Sequence, residues 1–230
     1  MRKDDSNMAF KLYLVRHGRT MLNHYRRLQG WCDSDLNDEG IAQANAAGRH
    51  LAHVKFDKIY YSGVGRTLKT AQLVIANNDY RDQLPTPVAN YDFREQGFGF
   101  FEGNDAEQAW FMAGMPHGVK TYDEIVARYG MDAVLNFLKE ADPFKDAENT
   151  TEFWTRVNRG LDGLRQTAHD GDNILITGHS ILIRHMVNRF KPEFDILSEH
   201  LENGSVTRFT VTADDVTVDY YNHSRNDQEY

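Results

Sequence analysis

Arg16-His17-Gly18 closes an apolar run, Leu12-Tyr13-Leu14-Val15. Neutral imidazole is a good nucleophile near pH 7, and a guanidinium grips phosphate oxygens with a planar fork of N–H donors. A histidine and an arginine side by side therefore suit attack on phosphorus. The run reads as a buried strand, so His17 falls in the turn at its carboxyl end, where α/β folds bind ligands. Taken alone, such a tripeptide also fits a satisfied loop. A second histidine, His179, follows the apolar stretch Ile174-Leu175-Ile176, and Arg66 opens a helical stretch after Lys58-Ile59-Tyr60-Tyr61. Cleavage of a phosphoester also needs a group that protonates the leaving oxygen and then activates water. Asp92, Glu95 and Glu102 are the carboxylates in one short segment that could do so.

The elements that must position these groups alternate in kind. Strands are expected at 12–15, 58–62, 87–91 and 173–177. Helices are expected from about Ile41 to Val54, with Asn37 or Asp38 as N-cap, and over 66–76 and 181–187. Residues 206–211 and 216–220 read as a terminal hairpin around Ala213-Asp214-Asp215. Strands alternating with helices imply a mainly parallel sheet covered on both faces. Between Asn104 and Asn149 the alternation gives way to two helical stretches, roughly 106–113 and 121–140, joined by Gly114-Met115-Pro116-His117-Gly118. Ile125, Val126, Tyr129, Val134, Leu135 and Leu138 form an ordinary packed face there. His117 and Lys120 lie in or beside a loop expected to overhang the site. The tail from Asn222 to Tyr230 is polar and expected to be mobile.

Leu14-Val15-Arg16-His17-Gly18-Arg19-Thr20 resembles the signature of the histidine phosphatase superfamily, with its phosphoglycerate-mutase-like fold. Further segments match in family order. Gln29-Gly30-Trp31-Cys32-Asp33-Ser34-Asp35-Leu36 looks like the loop before the first helix. Tyr61-Ser62-Gly63-Val64-Gly65-Arg66-Thr67 resembles the second arginine segment, with Ser62-Gly63 where the family more often has Ser-Pro. Phe93-Arg94-Glu95, followed by Gly99-Phe100-Phe101-Glu102-Gly103, resembles the acid/base segment. Thr177-Gly178-His179-Ser180 looks like the second histidine.

The resemblance spans roughly residues 10–210. It implies an α/β fold: a three-layer αβα sandwich with a mainly parallel central sheet and a helical cap insertion at about 104–150, within one domain over 1–230. It implies His17 as nucleophile, passing through phosphohistidine, His179 as a partner of the phosphoryl oxygens, and Glu95 as acid and base. Arg16, Asn23, Arg66 and Ser180 are the expected substrate ligands, with no cofactor and no metal. The substrate expected is a small phosphorylated molecule and the reaction phosphomonoester hydrolysis. Two alternatives belong to other classes: a phosphoglycerate mutase, and a non-catalytic module that recognises a phosphorylated partner. The mutase's Gly-Leu-Asn-Lys is absent after Glu95, and a binder has no use for a nucleophile and a proton donor.

Bulk properties agree with such a protein. The 230 residues are 40% hydrophobic and 26% charged, ordinary values for a globular chain. Lysine and arginine number 26 against 34 acidic residues, a formal charge of −8. That balance disfavours nucleic acid as a partner, and it requires any phosphate pocket to concentrate positive charge locally. The apolar runs are too short to span a bilayer, so no membrane partner is expected. Residues 1–7 have no apolar core after Arg2-Lys3 and read as a frayed extension, not a signal peptide. Cys32 is the only cysteine, which excludes an internal disulfide. A cytoplasmic location is the resulting expectation. Ten histidines leave most without motif context.

Overall fold

The computed structural model describes residues 8–230; the expectation of a frayed, signal-free extension over 1–7 lies outside the described residues. Six strands form one sheet: β1 (Ala9–Arg16), β2 (Lys58–Tyr61), β3 (Val88–Ala89), β4 (Asn173–Gly178), β5 (Val206–Thr212) and β6 (Val216–His223). Their spatial order is β3-β2-β4-β1-β5-β6. The pairings β3–β2, β2–β4 and β4–β1 are parallel, and β1–β5 and β5–β6 are antiparallel. The sheet is therefore mixed, and its two central strands, β4 and β1, form a parallel pair.

Successive strand residues point to opposite faces, and the core divides accordingly. Leu12, Leu14, Ile174 and Ile176 enter one apolar cluster, while Tyr13, Val15 and Leu175 enter another. The second face is covered by α2 (Asp38–His50) and α3 (Gly65–Ala76), with Ala47, Ala71 and Val74 packed against it. The first is covered by α7 (Thr150–Thr167) and α8 (Ser180–Phe190), through Phe153, Val157, Leu161, Ile183 and Met186. The three-layer arrangement follows from those alternating side chains. Each fully buried Leu or Ile contributes roughly 1.5–3 kcal/mol.

The helical insertion is built from α4 (Ala106–Gly114), α5 (Tyr122–Tyr129) and α6 (Met131–Ala141), and a four-residue helix α1 (Met21–His24) precedes α2. Asn37 is the N-cap of α2, its side chain accepting from the Gly40 N–H at 2.8 Å.

Four expectations need correction. The stretch 121–140 is two helices, because Gly130 takes φ +82° between them and turns the chain. The third strand shrinks to Val88–Ala89. The chain after Asn149, to which no element was assigned, holds the longest helix, α7, of 18 residues. It starts in a capping box, with Asn149 accepting from the Glu152 N–H and Glu152 from the Asn149 N–H, both at 2.9 Å. The tail is not loose: Tyr230 stacks on His50 with ring centroids 4.5 Å apart, and Asn226 meets His50 Nε2 at 2.8 Å. Among the described residues no helix is long and apolar enough to cross a membrane.

Candidate active site

Two neighbouring parallel strands deliver the two histidines. β1 and β4 pair in register up to Arg16 opposite Gly178, so His17 and His179 leave the sheet side by side. Their rings meet edge-on with centroids 5.3 Å apart. The His17 N–H donates to the Gly178 carbonyl at 3.0 Å, continuing the ladder one residue beyond the strand.

The hydrogen bonds define both tautomers. His17 Nδ1 lies 2.8 Å from the Gly18 carbonyl. A carbonyl only accepts, so Nδ1 carries the proton and Nε2 keeps a free lone pair. His179 Nδ1 lies 3.2 Å from Arg66 Nη2, and a guanidinium only donates, so here Nδ1 accepts and Nε2 carries the proton. That proton goes to Ser62 Oγ at 2.6 Å. Ser62 in turn meets Thr67 Oγ1 at 3.1 Å, and Thr67 donates to the Val64 carbonyl at 2.8 Å. The terminal carbonyl sets the direction of the whole chain. Burial first, then the Arg66 charge, hold both imidazoles well below the usual histidine pKa, and Arg16 adds to this for His17. Both are neutral at pH 7.

Ser62 is held for this by Gly63, whose φ of +88° lies outside proline's range, and whose added Cβ would come within 2.2 Å of the Tyr91 ring. The departure from Ser-Pro thus has a backbone cause.

Glu95 sits at the start of α8. Its Oε1 accepts from Leu182 N–H at 2.9 Å and Gln96 N–H at 3.1 Å, and its Oε2 from Ile181 N–H at 3.0 Å. Oε2, with one partner, retains the freer lone pair. Burial raises the Glu95 pKa above the usual carboxylate value, and the three N–H groups oppose that rise. The segment bearing Glu95 is stapled from α7. Arg156 donates to the main-chain carbonyls of Asp92, Arg94 and Glu95 at 2.8–2.9 Å, and pairs with Glu148 at 2.7 Å. Glu148 also accepts from the Gly97 N–H at 2.9 Å. Arg156 escaped the sequence reading, although the Asn149…Glu152 capping box would have announced its helix.

The other two carboxylates are engaged elsewhere. Asp92 pairs with Arg159. Glu102 accepts from the N–H groups of Gly30, Trp31, Cys32 and Phe98 at 2.8–3.1 Å, which ties the 30–32 loop to residue 98.

A cavity of about 670 Å³ opens at this end of the sheet. Arg16, His17, Asn23, Glu95 and Ser180 all line it. Its charged walls comprise five arginines, at 16, 19, 26, 27 and 184, against Glu39, Glu95 and Glu202. Positive charge is thus concentrated there in an acidic chain. Burial lowers the Arg16 pKa to about 10, which leaves it charged at pH 7. Asn23 is fixed in the α1 capping box, its Oδ1 accepting from the Thr20 N–H at 3.3 Å.

Arg66 and His179 stand behind this lining. Arg66 is 1% exposed and spends its guanidinium on the carbonyls of Gln29, Gly30 and Cys32 and on Asp33, at 2.6–3.2 Å. It reaches the site through His179. The cap lines the cavity with Ala106, Trp110 and Tyr122. His117 and Lys120 are not in the lining: His117 stacks on Phe137 at 3.4 Å and meets Glu140 at 2.9 Å, and Lys120 lies in a separate surface cleft.

A third histidine is buried as deeply as these two. His185, in α8, is pushed down to about 3 by burial. Unfolded, it titrates near 6.5. Below that pH the unfolded chain takes up protons that the native one refuses, so stability is complete above about pH 6.5 and falls as pH drops. His185→Leu should flatten the acid limb by about 1.4 kcal/mol per pH unit between roughly pH 6 and 4. Urea denaturation across that range measures it, and an unchanged slope would show that native His185 accepts the proton.

The sheet order and the placing of the site define a phosphoglycerate-mutase-like α/β protein. The chain belongs to the histidine phosphatase superfamily (branch 1), whose family model matches residues 12–115 and 113–224. It is 33% identical over 134 residues to fructose-2,6-bisphosphatase TIGAR B of Danio rerio, a match covering 54% of this chain and 52% of that protein. The chain thus matches about half the length of that relative. It is 28% identical over 239 residues to the 2,3-bisphosphoglycerate-dependent phosphoglycerate mutase of Streptococcus mutans, covering 92% of this chain and 98% of the mutase. The crystal structure of a phosphoglycerate mutase from Bacillus anthracis superposes with a TM-score of 0.88 at 29% identity, over 96% of each chain. Phosphatases and mutases are therefore both among its relatives.

Proposed function

We propose that the protein is a phosphomonoesterase that hydrolyses a small phosphorylated molecule through a phosphohistidine on His17. The observation that carries this reading is the state of His17: neutral, proton on Nδ1, free lone pair on Nε2, in a cavity shared with Glu95. Nε2 attacks phosphorus, and the bond from phosphorus to the ester oxygen breaks. Glu95, protonated on its freer oxygen, gives its proton to that leaving oxygen. Glu95 then takes a proton from water as the water attacks phosphohistidine, the N–P bond breaks, and inorganic phosphate leaves. Arg16 offsets the phosphoryl charge, and Asn23 and Ser180 complete the substrate contacts. Arg66 and His179 support the site from behind the cavity lining, Arg66 by holding the His179 ring and His179 by its edge-on contact with the His17 ring.

The near full-length similarity to phosphoglycerate mutases favours a second reading, in which phosphohistidine returns its phosphoryl group to another substrate hydroxyl. The chemistry up to phosphohistidine is shared. A panel of small phosphomonoesters, with phosphate release and isomerised product measured side by side, separates the two. Stoichiometric phosphate release is expected. Interconversion of phosphoglycerates with no phosphate released would overturn the hydrolase reading, and no turnover of any ester would leave a binding module.

A further inference from the structure

Five arginines line the cavity, and three are already committed at its rim. Arg19 pairs with Glu39, Arg26 with Glu107, and Arg27 donates to the Gly103 carbonyl at 2.9 Å. The other two, Arg16 and Arg184, meet no carboxylate within ion-pair distance among the described residues. Each is anchored by a single main-chain acceptor: Arg16 by the Leu201 carbonyl, Arg184 by the Ile196 carbonyl at 2.8 Å. Each leaves a buried Nε–H with no partner. Burial is the main cause that lowers the Arg16 pKa; the Glu95 and Glu202 charges oppose it, and the Arg184 charge adds to it. A buried donor left unsatisfied is costly. Two arginines that each carry one and face one cavity form a site that lacks its anion.

Arg184 is well placed to complete it. It lies one helical turn beyond Ser180 on α8, so the two side chains share a helix face. Its guanidinium carbon is 5.1 Å from the centre of the Tyr122 ring, which limits its freedom to move. Arg66 also has a buried Nε without a partner, but its terminal nitrogens already meet four protein acceptors in the 29–33 loop and it is absent from the cavity lining.

We propose that Arg184 is a direct ligand of the phosphoryl group, forming with Arg16 the anion clamp of the cavity. This rests on the phosphoryl-transfer reading of the site. The bland alternative is that Arg184 only tethers the chain near Ile196, which would make it matter for stability and not for anion affinity.

Calorimetric titration with inorganic phosphate and with orthovanadate decides between them, using wild type, Arg184→Gln and Arg184→Lys. A charge-assisted contact of this kind implies a loss on the order of ten- to a hundredfold in phosphate affinity for Arg184→Gln, with part of it recovered by Arg184→Lys. If Arg184→Gln fails to fold, Arg184→Lys keeps the charge but loses the fork and must still bind severalfold more weakly. Phosphate affinity equal to wild type in a folded variant overturns the proposal, even if KM rises for esters with an anionic leaving group. Wild type that binds neither phosphate nor vanadate would instead sink the phosphomonoesterase reading, and this inference with it.

Discussion

His17→Ala is expected to lower turnover of every phosphomonoester by at least about 10³-fold while the protein remains folded. The substitution removes a reaction path as well as a contact, and His200, the other histidine in the cavity lining, is an exposed loop residue away from the paired ends of β1 and β4. His179 does not substitute for it: its Nδ1 accepts from Arg66, and its Nε2 proton is committed to Ser62. Rapid quenching of wild type with labelled substrate should trap acid-labile phosphate on His17, and the alanine variant should trap none. Because burial and the arginine charges keep His17 neutral well below pH 6.5, its protonation should not produce an acid limb near that value in the rate profile. Near-normal activity of His17→Ala would end the phosphohistidine mechanism.

Glu95→Gln should separate proton transfer from phosphate binding. The amide cannot protonate the leaving oxygen, so alkyl phosphates, whose alkoxides leave poorly, should slow by about 10²–10⁴-fold. Activated aryl phosphates leave without much help and should slow far less in the first step. Phosphate affinity should stay the same or improve, since a neighbouring negative charge is removed. Some loss of stability is also expected. Glu95 accepts three backbone N–H groups, and an amide nitrogen placed against Ile181 or Leu182 would set donor against donor. A leaving-group series measured on both proteins gives the answer. Equal slowing across the series would show that Glu95 is not the acid of the first step.

Much of this architecture was legible along the chain, for local reasons. Apolar runs of strand length ending in Arg16-His17 and Gly178-His179 announce two strands and the groups at their ends. Asn37 before an amphipathic stretch announces the start of α2. The reading failed where a single residue or a nonlocal partner decides. Gly130 breaks a pattern that is otherwise continuously helical over 121–140. The polar tail packs because Tyr230 finds the His50 ring, a contact between residues 180 positions apart in sequence. The role of His117 is open in the sequence, and a nonlocal partner decides it: the ring stacks on Phe137 and stays out of the cavity lining.

The candidate site divides along the same line. The sequence by itself determined which residue types meet at the carboxyl ends of β1 and β4, because strand periodicity and parallel register carry His17 and His179 to one edge. It also supplied a glycine at 63, where the backbone takes a φ of +88° that other residues rarely adopt. Only the tertiary structure decided what each of those side chains is free to do. The Gly18 carbonyl chooses the His17 tautomer, and the first N–H groups of α8 choose Glu95 over Glu102, whose oxygens are spent on the 30–32 loop. The same holds for the arginines. Every guanidinium carries the same charge and the same donors, so sequence cannot rank them. Carbonyls brought in by the 29–33 loop occupy both terminal nitrogens of Arg66 and leave only its Nε without a partner, while Arg16 and Arg184 face the cavity with one main-chain acceptor each, because a buried donor's role is set by the acceptors that the fold brings to it.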